Sequence, residues 1–248
     1  MAVKSTMLLA AVFGWSCTLA SDPVDQTPVD AAASVGESDA ALEDRADAGE
    51  LTALLTGSAS APQLGFGEPV DLSSAGPADW AHWGLEGDLG AFNHRSGVAQ
   101  PISTFTQLGA ASLLATNCCI ETGFSWSEGT PAATASNAIG GVYVDTANAS
   151  GDGFRFSVPA GTTRETIRIY TGNWCVRARL EATLSDGSAP PLVDTSFDVP
   201  TPVLQNSIYT IDVRAGSPDQ TLLVDLTIDE NHCIEGDVGE LHLFAVVR

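Results

Sequence analysis

The stretch CVRARLEATL occupies residues 175–184. Val176, Ala178, Leu180, Ala182 and Leu184 fall on alternate positions, and Arg177, Arg179, Glu181 and Thr183 fill the places between. Side chains on a strand repeat with period two, so this segment reads as a strand with one dry and one wet face. A helix would scatter the same apolar residues around its axis. The period recurs on either side. In GFRFSV (153–158), Phe154, Phe156 and Val158 oppose Arg155 and Ser157; in TIRIYT (166–171), Ile167 and Ile169 oppose Arg168 and Tyr170. SIYTIDV (207–213), QTLLVDLTI (220–228) and GELHLFAVV (239–247) continue the series. Shorter candidates lie at 79–85, 102–108, 121–126 and 139–145.

Turn residues separate these runs: Ser150-Gly151-Asp152-Gly153, Pro159-Ala160-Gly161, Ser185-Asp186-Gly187-Ser188 and Gly216-Ser217-Pro218. Gly supplies positive φ and Asp or Ser closes the turn on its own backbone. About ten strands with short connections and no long helix indicate an all-β fold. The expected architecture is an antiparallel two-sheet sandwich, jelly-roll-like, over residues 63–248.

The rest of the chain has a different character. Lys4 begins a short positive region, Met7–Trp15 is a brief apolar run, and small residues follow at Ser16, Thr18 and Ala20. Residues 1–20 therefore read as an export signal. Thr18 and Ala20 fit cleavage before Ser21. Alternatively, GWSC at 14–17 resembles a bacterial lipoprotein box with Cys17 as the lipidated residue, although Gly14 stands where that box usually has an aliphatic residue. Residues 21–62 hold nine acidic residues and no aromatic one. Such a segment buries too little apolar surface to offset its ordering entropy and reads as an acidic, disordered tether. Within it, 40–55 has the composition of a short helix, weakened by Gly49.

The whole chain carries 31 Asp and Glu against 10 Lys and Arg, a formal net charge of −21. That sign repels phosphate backbones and anionic head groups, which argues against nucleic acid as a partner. No apolar run approaches the roughly 18 residues of a membrane span, so membrane association would come only through a lipid on Cys17. The expected location is the cell envelope, by anchor, or the exterior. There the domain's four cysteines, Cys118, Cys119, Cys175 and Cys233, can close two disulfides. A bridge between the neighbours Cys118 and Cys119 would distort the peptide, so each is expected to reach Cys175 or Cys233.

DWAHWGL at 79–85 concentrates aromatic rings. Alternation puts Trp83 with Ala81 and Leu85 toward the core and turns Trp80 and His82 the other way, to line an outer surface or to pack under a neighbouring loop, so the stretch reads as mainly structural. DWAHWGL is followed in order by ISTFTQLG (102–109), FSWSEGTP (124–131), FSVPAGT (156–162), IRIYTGNW (167–174) and ARLEATLSDGSAP (178–190). As an ordered set they resemble a β-sandwich, lectin-like module of secreted bacterial carbohydrate-active or cell-surface proteins. The resemblance covers about residues 79–247 and implies an accessory, glycan-binding role without catalytic residues. The cysteines and the acidic stretch 229–240 depart from the module's pattern.

Phosphate-loop, dinucleotide, G-x-S-x-G and H-E-x-x-H signatures are all missing from the sequence. The expected function is therefore a non-catalytic, surface-tethered sandwich that binds glycan or another envelope component. The alternative is a secreted polysaccharide hydrolase or lyase, whose paired carboxylates would meet only in the fold. Flat rings stack on the C–H face of a sugar. Trp126, Tyr170 and Trp174 are the expected contacts, Trp80 and His82 secondary ones, and Asp186 an acceptor for hydroxyls. No cofactor is expected, with one qualification: Asp229, Glu230, Glu235 and Asp237 in DENHCIEGDVGE offer the hard oxygen ligands that calcium takes.

Overall fold

The computed structural model describes residues 52–118, 120, 123–147, 150–233 and 237–248. The export signal, Cys17, most of the tether, Cys119 and Glu235 lie outside these residues. In chain order the strands are β1 (Leu54–Ala59), β2 (Val70–Asp71), β3 (Trp80–Trp83), β4 (Phe92–Arg95), β5 (Thr106–Leu108), β6 (Ser112–Thr116), β7 (Phe124–Trp126), β8 (Gly129–Thr130) and β9 (Ala135–Ala138). The longer strands follow: β10 (Gly141–Thr146), β11 (Gly153–Ala160), β12 (Glu165–Trp174), β13 (Val176–Leu184), β14 (Leu192–Asp194), β15 (Gln205–Arg214), β16 (Gln220–Asn231) and β17 (Gly239–Val247). One helical turn, α1 (Leu72–Ala75), is capped by the Asp71 carboxylate, which accepts from the backbone N–H of Ser73 and Ser74.

The second half of the chain folds as nested antiparallel pairs. β10 pairs with β17, β11 with β16, β12 with β15 and β13 with β14. Successive pairs alternate between two sheets, giving the order β15-β12-β17-β10 in one and β14-β13-β16-β11 in the other. This nesting is a jelly roll. β1 extends the larger sheet beside β15, while β3, β4 and β8 extend it beyond β17, and β6 lies beside β10. β5 completes the smaller sheet next to β11.

The main core lies between the two sheets. β13 alternates buried and half-buried residues along its whole length, with Val176, Ala178, Leu180 and Ala182 fully buried. They meet Ile167, Ile169, Tyr209, Ile211, Leu222 and Val224, among others. A second core covers the outer face of the larger sheet. Phe66, Leu72 and the small sheet of β2, β7 and β9 lie over Trp80, Tyr170, Phe244, Ala245 and Val247. β17 serves both cores through a bulge. Thr171 pairs with Leu243 and Tyr170 with Ala245, leaving Phe244 as the extra residue. Leu243 and Val246 enter the main core, and Phe244, Ala245 and Val247 the second.

The sandwich begins earlier than expected. Leu54–Ala59, placed by sequence in the tether, is paired with β15 along its whole length, so Leu54 and Leu55 are strand residues. Strand β3 also differs from its expected form. It is buried on both faces, with Ala81 and Trp83 in the main core and Trp80 in the second. Leu85 does not share a face with Trp83. Gly84 turns the chain at φ 71 and Leu85 then packs against the second core. A Cβ on Gly84 would stand 2.3 Å from the Gly141 carbonyl oxygen, so only glycine fits this crossing.

Candidate functional site

The second core claims most of the rings expected to meet ligand. Trp80, His82 and Trp126 are buried, and the Trp126 and His82 rings stand 4.9 Å apart. The Trp126 indole N–H donates to the Ala132 carbonyl. Tyr170 is buried edge-on against Phe66 and Phe124. None of these four presents a face to solvent, because the cover formed by β2, β7 and β9 closes over that face of the sheet, the second of the two alternatives that alternation left for Trp80 and His82. Asp186 is taken up by its own turn. One carboxylate oxygen accepts from the Ser188 N–H and hydroxyl, the other from the Gly216 and Ser217 N–H groups. Ser188 is the main cause holding this carboxyl below the usual range. Its role is to staple two turns together.

Of the four acids expected to hold calcium, Asp229 and Glu230 are engaged in ion pairs. The Arg177 guanidinium pairs with Asp229 at 2.7 Å and with Glu230 at 2.8 Å, while Asp237 is exposed. Among the described residues no group of three or more His, Cys, Asp or Glu side chains is placed to hold a metal. Cys175 and Cys233 are free thiols that neighbour each other, instead of reaching one each to Cys118 and Cys119. Cys118 is in a disulfide, as expected of it, and its sulfur lies 3.1 Å from the Thr116 hydroxyl.

Trp174 alone of the expected rings reaches an open surface. It is the last residue of β12, and Cys175 at φ 59 carries the chain from there into the other sheet. On β17 the period of two puts Glu240 and His242 on the outer face, beyond the edge of the cover. Register sets Trp174 and Asp145 on either side of Glu240, and Gly172 and Tyr143 on either side of His242. Together with Thr116, Cys118 and Leu204, the residues Tyr143, Trp174, Glu240 and His242 line a cleft of about 300 Å³. Gly172 has no room for a side chain; a Cβ there would stand 2.8 Å from Asn206 Oδ1, 3.1 Å from Phe244 Cε2 and 3.2 Å from Leu204 Cδ1.

The walls of the cleft are stacked rings. The Tyr143 ring stacks on His242 at 4.8 Å with the planes 17° apart, and His242 stacks in turn on Phe244 of the second core. His242 Nε2 lies 2.9 Å from the Glu240 carboxylate, which fixes the imidazole. Burial, then the negative charges of Glu240 and Asp145, hold the Tyr143 hydroxyl above its usual range, so it stays a donor. The site thus offers an indole, a phenol donor and a carboxylate acceptor with little conformational freedom. Two larger clefts, of about 470 and 490 Å³, lack an aromatic wall.

No protein-family model, curated protein or solved structure matches the chain. Sequence named Glu240 only as one acid of the 229–240 stretch and did not single out Tyr143 or His242. Period two places Glu240 and His242 on one face of their strand, but Tyr143 is 97 residues from Glu240 and only the β10–β17 register joins them.

Proposed function

We propose that this protein is an exported, surface-tethered β-sandwich that binds glycan in the cleft between Trp174 and Tyr143 without turning it over. The carrying observation is the pairing of a partly exposed indole with a stacked, immobilised phenol beside one carboxylate. Fixed rings lose little entropy on binding, and the Tyr143 hydroxyl and Glu240 supply a donor and an acceptor for sugar hydroxyls. Affinity in so small a cleft should be weak, on the order of −4 to −6 kcal/mol. A glycan array read with the full chain tests this reading. Trp174→Ala and Tyr143→Ala should each lower binding roughly tenfold, about 1.4 kcal/mol, with the circular dichroism unchanged. Binding that survives both substitutions together would remove the site.

A second reading draws on the register. Asp145 and Glu240 are direct cross-strand neighbours with their Cβ atoms about 5 Å apart, a placement from which two carboxyl groups can reach the separation of about 5 Å that a retaining glycosidase uses. Release of reducing ends by the native chain, abolished in Glu240→Gln, would favour hydrolysis over binding. The mass of the mature chain tests the export part. A diacylglyceryl group on Cys17 supports a lipid anchor, and a soluble form starting at Ser21 supports free secretion.

A further inference from the structure

Cys175 and Cys233 occupy two crossings between the sheets at the same end of the jelly roll. Cys175 is the single residue between β12 and β13, buried and left-handed at φ 59. Cys233 follows β16 by two residues, on the way to β17. The β13–β16 ladder ends at Val176 opposite Asn231, and the His232 N–H then donates to the Cys175 carbonyl at 2.8 Å. Beyond that bond, Asn231 Oδ1 accepts the Cys233 N–H at 2.9 Å and bends the chain back. The Cys233 sulfur points to the Val238 carbonyl at 3.2 Å. Burial and then the adjoining Cys175 push the Cys233 thiol up to about 12, as expected of two sulfurs sharing one small space.

We infer that Cys175 and Cys233 form a disulfide that ties the β12–β13 corner to the β16–β17 connection. This depends on the exported reading only for its occurrence in the cell; the pairing itself stands on the ladder end. Each thiol gives up one proton, and the two electrons pass to an external disulfide. The Cys233 thiolate, the more accessible of the two, attacks that disulfide and releases one small thiol. The Cys175 thiolate then attacks the mixed disulfide, forms the Cys175–Cys233 bond and releases the second thiol. The bridge holds both sides of the cleft, because Trp174 directly precedes Cys175 and pairs with Glu240 on β17. It also assigns the connectivity that the cysteine count leaves open: Cys118 and Cys119 do not take part.

The test uses the full chain, folded, incubated with oxidised glutathione, then alkylated and digested with trypsin without reduction. Cys175 falls in the peptide 169–177, Cys233 in 215–248, and Cys118 with Cys119 in 96–155. The expected product is 169–177 linked to 215–248, lost on reduction. Alkylated Cys175 and Cys233, a glutathione adduct that persists on Cys233, or a link from either peptide to 96–155 would each overturn the pairing. A second measurement follows melting with and without reductant. The oxidised chain should lose on the order of 5–15 °C on reduction, the effect of opening a loop of this length. A Cys175→Ser, Cys233→Ser chain should lack that loss; an equal loss in the double variant would show that the loss has another source.

Discussion

His82 is an imidazole with no access to water, packed against Phe124 and Trp126. The only polar neighbour of its ring nitrogens among the described residues is the Gly140 backbone, which offsets little of the cost of burial. Burial lowers its pKa from 6.5 to about 3. The unfolded chain therefore takes up a proton near pH 6.5 that the folded chain refuses. The stability this residue contributes is complete above pH 6.5 and is lost as pH falls toward 3. Between pH 7 and 4.5 the loss amounts to about 2–3 kcal/mol. His82→Phe, which keeps a ring in the same space, should shrink the difference in melting temperature between those two pH values by roughly 5–10 °C. An unchanged difference would mean that the ring is protonated in the fold. At the same scale, alternation correctly turned Trp80 and His82 away from Trp83. What it left open was whether a cover lies over them: a residue facing away from one core meets water only if no second layer lies there.

β13 carries its own register, because each of its inward residues is apolar and each outward one polar or charged. Leu180→Ala should destabilise the domain by about 2–5 kcal/mol, the cost of lost burial together with a cavity. Arg179→Ala removes only a half-exposed pair with Glu181 and should cost less than about 1 kcal/mol. Denaturant midpoints of the two variants decide the register; similar midpoints would refute it. β17 was legible in position but not in form. GELHLFAVV has the apolar content of a strand buried on both faces, yet the break at Phe244 arises only from pairing with β12. β1 was not legible at all. LLTGSA is half apolar and follows an acidic run, and it becomes a strand because β15 offers it a complete edge. A chain beginning at Gln63 should therefore melt lower than one beginning at Thr52, by about 5 °C or more, since it loses that ladder and exposes the edge of β15. Equal melting temperatures would show that β1 adds nothing.

At the scale of the molecule, the jelly roll is a consequence of nesting. Four antiparallel pairs of increasing separation, from β13–β14 out to β10–β17, place successive pairs in opposite sheets. The sequence by itself determined the all-β class, the long strands from residue 153 onward and the apolar faces that form the main core. Those properties depend on neighbours one or two residues apart, which a period of two records directly. The sequence also placed the turns at 150–152, 185–188 and 216–218, since Gly, Asp and Ser act on their own backbone, whereas Pro159 and Ala160 stay paired within β11. Only the tertiary structure decided which faces stay dry, and so which aromatic rings remain available. Trp80, His82, Trp126 and Tyr170 lie in or under a layer built by distant residues from 66 to 138, while a ladder brings Tyr143 and His242 together at an open cleft. The same holds for the thiols. Parity says how many cysteines can pair, but a disulfide needs its two Cβ atoms about 3.8 Å apart, and no spacing in the chain encodes that distance. The end of the β13–β16 ladder brings Cys175 beside Cys233 because strands far apart in sequence share one hydrogen-bond register.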